Sequence, residues 1–386
     1  MRRVIGLSLI LFLAAGGSLA AAGEEKIVLQ INENSSIWSG DDSPKKEGGQ
    51  NLVYFSAAYL KKKYGVTFLG SYANTSYIYN GGQPADFSLS SLTDSTISGY
   101  YKFSGIKGFD IRAGLDLNLP TGKAGFTDSQ FGALFTDNVV QELNVVNFFG
   151  GGLNIAPNVV ATKSLANMTL GLGLRYELTG KYDPTTETPN DDYDPGDLLT
   201  FIGSGMLRPN NRSLIVADLR AAMSTRDRRG GEDFFKQGNV YNLNLRYVRK
   251  YDTFRATLFG SYGMQDKNQR TGATAGTLTT EDRNTNNNKY ELYTHVFYNF
   301  TSKVGISGIL GYKDVQSNNA AGSLKDAGYD KIYLGGGGTF TISDVLFWTA
   351  ELRLFQVNNG ADAQEAQSTK YNGFNFDIGL VYTFNR

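Results

Sequence analysis

The chain offers few side chains for nucleophilic chemistry. It has one histidine, His295, and no cysteine. His295 lies four residues after Glu291, so the two side chains share a face if this segment is a β-strand. A catalytic serine needs a base beside it, and no Gly-x-Ser-x-Gly pattern frames a serine in this chain. The sequence therefore predicts no enzyme, and His295 is expected to be an ordinary polar residue of a strand wall.

Carboxylates are more abundant, and four of them crowd between Asp191 and Asp197. Their spacing does not match the calcium loop of an EF-hand, although Ca²⁺ and Mg²⁺ both prefer oxygen ligands. Zinc sites and haem attachment require cysteine or clustered histidine, which the chain lacks. We therefore expect no metal and no cofactor. The acidic stretch is predicted to be a solvated loop, or one that bridges to lipopolysaccharide through divalent ions.

We expect extended strands to position these residues. The alternation of apolar and polar side chains that indicates a strand is clearest at the end of the chain. Apolar and aromatic side chains alternate with polar ones, as side chains of a strand point to opposite faces; the apolar set is Phe374, Phe376, Ile378, Leu380, Tyr382 and Phe384. Such a face is typical of a strand that contacts lipid. The segment resembles the C-terminal signal read by the barrel assembly machinery of the outer membrane, although Asn385 and Arg386 follow the last aromatic residue.

The first residues predict export. Met1-Arg2-Arg3 is basic, 4–15 is apolar, and small residues follow to Ala22, which is typical of a signal peptide over 1–22 with one mature domain over 23–386. Removal of Arg2 and Arg3 leaves 35 basic against 37 acidic residues, a net charge of −2. This near-neutral balance predicts no nucleic-acid partner. The first strand is expected close to the cleavage site, without a preceding plug domain.

Composition favours a membrane barrel over a secreted β-sandwich or β-helix, the alternative all-β class. The chain has 24 Phe and 23 Tyr but 8 Pro, and alternating segments recur from 26–39 to 371–385. They predict an all-β fold: a transmembrane antiparallel up-and-down β-barrel of about 16 strands, with 14 or 12 as alternatives.

The connections support this count. Short links alternate with long ones, and the first long link is predicted at 40–50. This is the arrangement of short periplasmic turns and long outer loops. Segment 145–160 is the least regular predicted strand, because it contains three consecutive glycines at 150–152 and a proline, Pro157.

Charged side chains are predicted to line the lumen. In strand 108–119, apolar side chains from Phe109 to Leu119 occupy the face opposite Arg112, and a cation on the lipid face costs about 2–4 kcal/mol at the bilayer midplane. The same reasoning on the other strands gives the predicted pore-lining set: Asp110, Arg112, Asp116, Arg175, Glu177, Asp218, Arg220, Arg246, Arg255, Glu291, Glu351 and Arg353.

The long link 120–144 is predicted to narrow the lumen. A helix-like apolar stripe runs through it, formed by Phe131, Leu134, Phe135, Val139 and Leu143. In position it resembles the third loop of general porins, which folds into the pore. That resemblance implies that Asp128, Asp137 and Glu142 line a constriction opposite wall arginines such as Arg112 and Arg175. A short helix across the outer mouth is the alternative.

A second resemblance is local. The segment from Phe109 to Lys123, ending Leu-Pro-Thr-Gly-Lys, is similar to part of a family of putative outer-membrane transporters associated with phenol meta-cleavage degradation. The resemblance implies transport and covers about 15 residues of this chain.

These observations together predict an integral protein of the cell outer membrane that acts as a porin-like channel for passive diffusion of small polar or ionic solutes. A channel selective for small organic acids or aromatics is the alternative within transport. A non-transporting scaffold or receptor for a surface or electron-transfer protein is the alternative outside it. Expected partners are outer-membrane lipid, lipopolysaccharide, the barrel assembly machinery and small solutes, with a homotrimer as a further expectation.

Overall fold

Sixteen antiparallel strands close into a barrel in the computed structural model, which describes residues 25–41, 45–79, 87–127, 130, 142–146, 148–186, 192–272, 274, 276–361 and 367–385. We number the barrel strands in chain order as β1 (Lys26–Gly40), β2 (Lys46–Leu60), β3 (Tyr64–Tyr79), β4 (Phe87–Leu92 and Ser95–Ile106), β5 (Phe109–Leu119), β6 (Asn154–Ser164), β7 (Met168–Glu177), β8 (Leu198–Asn210), β9 (Ser213–Ser224), β10 (Val240–Lys250), β11 (Phe254–Gln265), β12 (Lys289–Asn299), β13 (Val304–Val315), β14 (Tyr329–Ser343), β15 (Leu346–Asn359) and β16 (Thr369–Asn385).

The barrel closes between its first and last strands. β1 and β16 pair antiparallel from Lys26 opposite Asn385 to Gly40 opposite Tyr371. Every other strand pairs with its neighbours in sequence. Closure removes the unpaired strand edges that an open sheet would expose. The predicted fold class and strand number are confirmed.

Links of two kinds alternate around the ring. Short links such as 107–108 and 211–212 join strands at one end, which we call the turn end. Longer links join them at the other end, the loop end. The predicted alternation is confirmed, but the prediction of 40–50 as a long link is wrong. β1 and β2 continue beyond the expected boundaries, so only 41–45 separates them.

The prediction of a strand over 145–160 is also wrong. β6 begins at Asn154, and the whole of 120–153 links β5 to β6. Pro157 lies inside β6, where the ladder to β5 is continuous. Its ladder to β7 starts only at Asn158, after an isolated bridge at Ile155. Because the backbone beside Pro157 is not paired on that side, the missing N–H of proline costs no ladder hydrogen bond there.

Side chains on the two faces of the barrel differ in chemistry. The outer face carries exposed apolar residues, among them Leu172, Leu219 and Leu334. The inner face is the one that contacts the link between β5 and β6, through residues such as Ser36 and Gln50. This arrangement is expected for a barrel with lipid outside and water inside.

No helix of the described residues is long and apolar enough to cross a membrane.

Residues 1–24 lie outside the described part of the chain, so the signal peptide and its cleavage site stay predictions.

Candidate functional site

A segment of the β5–β6 link, which we call the lumen segment (142–146 and 148–149), lies inside the barrel. The hydroxyl of Ser36 on β1 donates a hydrogen bond to the carbonyl oxygen of Leu143, at 2.6 Å. Gln50 on β2 makes two bonds to Val146, donating from Nε2 to its carbonyl and accepting at Oε1 from its N–H, both at 2.7 Å. The lumen segment is therefore fastened to the inner face of β1 and β2.

One carboxylate holds both ends of the link. Asp94 lies at the break in β4 and accepts hydrogen bonds from the backbone N–H of Gly122 at 3.1 Å and of Gly151 at 2.9 Å. The side-chain amide of Asn118 donates a third, at 2.7 Å. Gly122 follows the end of β5 and Gly151 precedes the start of β6, so Asp94 holds the two ends of the link together.

Glu142 reaches another part of the wall. Its carboxylate forms ion pairs with Lys313 on β13 and with Lys331 on β14, the latter at 3.3 Å. The hydroxyl of Tyr329 donates to the same carboxylate at 2.9 Å. Burial raises the pKa of Glu142, but the two ammonium groups and their hydrogen bonds outweigh it, and the pKa is lowered to about 2.

This contact lies far around the barrel from both ends of the link. The link begins at β5 and ends at β6, whereas Glu142 binds β13 and β14, eight positions further around a ring of sixteen. Eight positions are half the circumference, so Glu142 contacts the wall on the far side of the barrel from β5 and β6, and 143–146 and 148–151 follow the inner wall past β1, β2 and β4.

The sequence did not predict the lysine partners of Glu142, and that Glu142 lines a constriction opposite Arg112 and Arg175 stays a prediction. Its carboxylate pairs with two lysines, on β13 and β14. Hydrogen bonds to β1, β2 and β4 hold the link on that side of the barrel, where β13 and β14 are within reach of Glu142. The sequence pattern does not indicate these contacts. Asp128 and Asp137 lie outside the described residues, as do Phe131, Leu134, Phe135 and Val139 of the apolar stripe.

Leu143 is described, and it lies in a buried apolar cluster inside the barrel. We call this set the lumen cluster; it contains Trp38, Tyr77, Leu143, Ile309, Val315, Tyr329, Tyr333, Phe355, Val357 and Tyr371. Trp38 contacts the rings of Tyr77 and Tyr371, with centroids 5.7 and 5.8 Å apart. The strands that carry the cluster run from β13 through β16 to β3. This side of the inner wall thus carries an apolar cluster among its polar residues, and the lumen segment contributes Leu143 to it.

Four arginines on β7 to β11, on the other side of the lumen, lie progressively closer to the turn end. Strand register places Arg175 opposite Thr200 and Arg220 opposite Ile202, two residues nearer the turn end of β8. Arg246 lies opposite Val216, and Arg255 lies opposite Lys250, each four residues further toward the turn end. We call this row the arginine staircase: Arg175, Arg220, Arg246 and Arg255, on β7, β9, β10 and β11.

Of the four arginines of the staircase, Arg175 alone forms ion pairs with described residues, although Asp218 on β9 is close enough to Arg246 to interact with its charge. Arg175 pairs with Asp116 at 3.2 Å and with Glu177 at 2.5 Å. Arg220, Arg246 and Arg255 make no ion pair with any described residue. The Nε atom of Arg220 is buried and makes no hydrogen bond within the described residues. Cations without an ion-pair partner in a confined lumen attract anions.

Aromatic rings accompany these cations. The guanidinium of Arg246 lies 6.0 Å from the ring centre of Phe259, and that of Arg255 lies 5.5 Å from Phe297. Phe259 stacks on Tyr293 with centroids 4.7 Å apart. Cation–π contacts of this kind hold a guanidinium plane in place without neutralising its charge.

Arg112 lies outside the staircase but has similar surroundings. Its guanidinium is 4.4 Å from the ring centre of Tyr100 on β4. Its Nε atom is buried and makes no hydrogen bond to a described residue. Arg112 also forms no ion pair within the described part of the chain, although Asp116 on the same face of β5 is close enough to interact with its charge.

The other predicted lumen residues lie on the same inner face by register. Asp110 pairs with Lys102 at 3.0 Å near the turn end. Glu291 accepts a hydrogen bond from the hydroxyl of Tyr333 at 2.9 Å. The remaining residues are the ion pair Glu351–Arg353 on β15, and Asp218 on β9 opposite Asn244. That these side chains contact a solute stays a prediction.

His295 lies on the inner face of β12, opposite Thr257 and Ile309. It makes no hydrogen bond to a described residue, and Glu291 binds a tyrosine instead of the histidine. Within the described residues, no group of three or more His, Cys, Asp or Glu side chains is arranged to hold a metal. Asp197 of the acidic stretch accepts hydrogen bonds from Tyr176 and from the N–H of Thr179.

Sequence reasoning missed the residues that dock the lumen segment. Lys313 and Lys331 do fall on the inner face by alternation, so their orientation was readable. Their partner was not, because Glu142 is 171 and 189 residues away in sequence. Gln50, Ser36 and Asp94 are ordinary polar residues whose types and spacing gave no signal.

No protein-family model and no curated protein matches this chain. Solved structures with a similar fold include the OccK7 (OpdD) protein of Pseudomonas aeruginosa, with 10% identity over 95% of this chain and 99% of that one, at a TM-score of 0.46. OprD of the same organism has 9% identity over 95% and 97%, at 0.44. The P. putida toluene transporter TodX has 10% identity over 95% and 91%, at 0.43. At identities this low, the likeness concerns the fold alone.

The fold defines the class. A closed sixteen-strand antiparallel barrel, apolar outside and charged inside, is the architecture of outer-membrane β-barrel proteins, and the predicted fold class is confirmed. The closer resemblance of 109–123 to one transporter family stays a prediction.

Proposed function

We propose that the protein is an outer-membrane channel through which small polar or ionic solutes diffuse passively, with a preference for anions. The observation that carries this proposal is the asymmetry of the lumen. The lumen segment contacts β1, β2, β13 and β14, and the arginine staircase lies on the other side of the lumen. A solute would pass between the two. A barrel of this strand number is wide enough to hold an aqueous path beside such a loop.

The sign of the preference follows from the ion pairs. The acids near the top of the staircase are bound to Arg175, whereas the cations below it form no ion pair with a described residue, and Asp218 is the acid that interacts with Arg246 across a longer distance. An anion entering the lumen therefore meets successive guanidinium groups. Because the arginines lie at different heights, a carboxylate or halide can pass from one to the next without being held tightly at any one.

The first experiment is conductance of the folded protein in a planar bilayer, with equal salt on both sides and then a gradient. We expect discrete steady openings and a reversal potential of the sign given by anion selectivity. Cation selectivity would refute the preference for anions. Silence from protein shown to be folded and inserted would refute the channel itself and favour the scaffold or receptor alternative.

A second candidate is a channel selective for small organic acids that carry a ring. The observation that favours it is the set of aromatic side chains beside the lumen arginines: Tyr100, Phe259, Tyr293 and Phe297. A guanidinium can bind a carboxylate while a neighbouring ring stacks on the aromatic part. Liposome swelling would discriminate the two: faster entry of benzoate than of acetate favours selectivity, and entry ordered by size alone favours simple diffusion.

We assign the barrel no catalytic role. His295 has no hydroxyl hydrogen-bonded to it among the described residues, and hydrolytic chemistry requires that contact or a close approach to it. The homotrimer and the contact with the assembly machinery also stay proposals.

A further inference from the structure

Two adjoining cavities lie at the loop end, beneath a small sheet formed by the long links. The sheet contains the strands Tyr193–Asp194, Asp227–Arg229, Glu232–Lys236, Gln269–Thr271 and Leu278–Thr280. The first cavity has a volume of about 600 Å³ and is lined by Asp197, Arg226, Arg228 and Lys236, among others. The second, of about 270 Å³, shares Lys236 and adds Asp266 and Lys267. The two together form one groove, which we call the rim groove.

The rim groove is in contact with the outer face of the barrel through two of its carboxylates, Asp197 and Asp266. Tyr176 and Tyr241 are on the outer face of β7 and β10 by register, each near the loop end of its strand. The hydroxyl of Tyr176 donates to Asp197 at 2.7 Å, and that of Tyr241 donates to Asp266 at 3.4 Å. Outward tyrosines near strand ends form the aromatic girdle at the membrane interface. The cavities that contain Asp197 and Asp266 are therefore just above that girdle.

Cations of the rim groove are only partly neutralised. Arg226 and Arg228 share one carboxylate, that of Asp233, at 2.6 and 3.3 Å. Lys236 makes no ion pair with a described residue. Lys267 donates to a backbone carbonyl, that of Asp282, at 2.6 Å, so its charge also remains. The groove thus presents two accessible arginines held by Asp233, with Lys236 lining both cavities and Lys267 the second, beside the carboxylates of Asp194, Asp197 and Asp266.

We propose that the rim groove binds the phosphorylated headgroup of an outer-leaflet glycolipid. Arginine and lysine donors match phosphate oxygens, and two guanidinium groups can each make paired hydrogen bonds to one. The tyrosine girdle below the groove is where the sugar and the first part of the acyl chains would lie. This assignment is independent of whether the barrel conducts.

Native mass spectrometry of the folded protein in detergent tests the assignment, with bisphosphorylated lipid A and its fully dephosphorylated form as probes. The variant combines Arg226→Gln, Arg228→Gln and Lys236→Gln. We expect the folded parent to retain the bisphosphorylated form and the variant to retain it at least about tenfold less, because several charge-assisted hydrogen bonds are lost. Parent protein should retain the dephosphorylated form as weakly as the variant retains either.

A matched control removes three cations at the turn end: Arg212→Gln, Lys250→Gln and Lys303→Gln. Its binding of bisphosphorylated lipid A should equal that of the parent. Equal loss in the control and the variant would overturn the site, as would full retention by the rim-groove variant. Competition by an equal concentration of inorganic phosphate would assign the groove to free phosphate and overturn the lipid assignment.

Discussion

The side-chain amide of Gln50 bonds the backbone of Val146 through both a donor and an acceptor, as a neighbouring strand backbone would. The side-chain amide of Gln50 donates to the carbonyl of Val146 and accepts from its N–H, both at 2.7 Å. Gln50 also donates to the hydroxyl of Thr75, at 2.8 Å, so its orientation is fixed from the neighbouring strand. One side chain therefore satisfies both backbone groups of a residue that lies within the lumen and belongs to no strand.

Gln50→Leu should loosen the lumen segment. The substitution keeps most of the volume but removes three hydrogen bonds. Two of them hold Val146 and contribute about 1 kcal/mol each, so docking should weaken by about 2 kcal/mol. Hydrogen exchange at 142–149 in detergent measures this, and we expect faster exchange there with little change in the strands. Gln30→Leu is the control, because Gln30 bonds Asn32 on the same wall and no other side chain among the described residues. Unchanged exchange at Val146 would contradict the docking contact.

Glu142 should respond to acid only at low pH. Its pKa is lowered from the ordinary 4.5 to about 2, so the stabilisation by Lys313 and Lys331 is fully present above about pH 4.5 and is lost as the pH falls toward 2. Trp38 reports on docking, because its indole lies in the lumen cluster beside Asn144. In a Trp348→Phe background, the fluorescence of Trp38 should change only across that acidic range.

Glu142→Gln in the same background is the control for the acid response. It removes the titrating group, so the acidic change should disappear and the spectrum at pH 7 should already resemble that of the acidified parent. A transition in the parent centred at or above pH 4.5 would show that the carboxylate is not paired as described.

The arginine staircase should set the ion preference. Arg220→Gln combined with Arg246→Gln removes two cations that form no ion pair with a described residue, so we expect the ratio of chloride to potassium permeability to fall at least about twofold. Reversal potentials in a salt gradient measure the ratio. Arg212→Gln is the matched control, since Arg212 pairs with Asp252 at the turn end. An equal fall in the control would point to a general surface effect.

Asp94→Asn should release the base of the β5–β6 link. The change removes a charge and one of the oxygens that accept from Gly122 and Gly151, at an expected cost of about 1–3 kcal/mol. Thermal unfolding in detergent and proteolysis within 120–153 report on it. Asp41→Asn is the control, because Asp41 caps one backbone N–H, that of Lys370, at an exposed position. Equal effects of the two changes would argue against a special role for Asp94.

A charged side chain should destabilise the protein on the outer face much more than on the inner face. Leu172 on β7 is 72% exposed on the outer side, and an arginine there should cost about 2–4 kcal/mol near the bilayer midplane. Ser204→Arg, on the inner face of the adjacent β8, is the comparison. Refolding yield into lipid vesicles should fall for Leu172→Arg and change much less for Ser204→Arg.

The fold was readable from the sequence because a barrel repeats one local rule. Alternation with a period of two fixes which side chains of 109–119 face lipid, and the cost of burying charge in lipid decides the side without any tertiary information. The alternation of link lengths likewise gave the strand number. Errors arose at 145–160, where an irregular segment binds the inner wall, and no local pattern distinguishes that from a broken strand.

The sequence by itself determined the class of barrel, the face of each charged residue and the presence of a long link after β5. Only the tertiary structure decided that Glu142 reaches Lys313 and Lys331, and that Arg175, Arg220, Arg246 and Arg255 form a descending row. Both depend on strand register and on closure of the ring, which bring together residues far apart in the chain. A period of two carries no information on register between strands, so neither relationship could be read from the sequence.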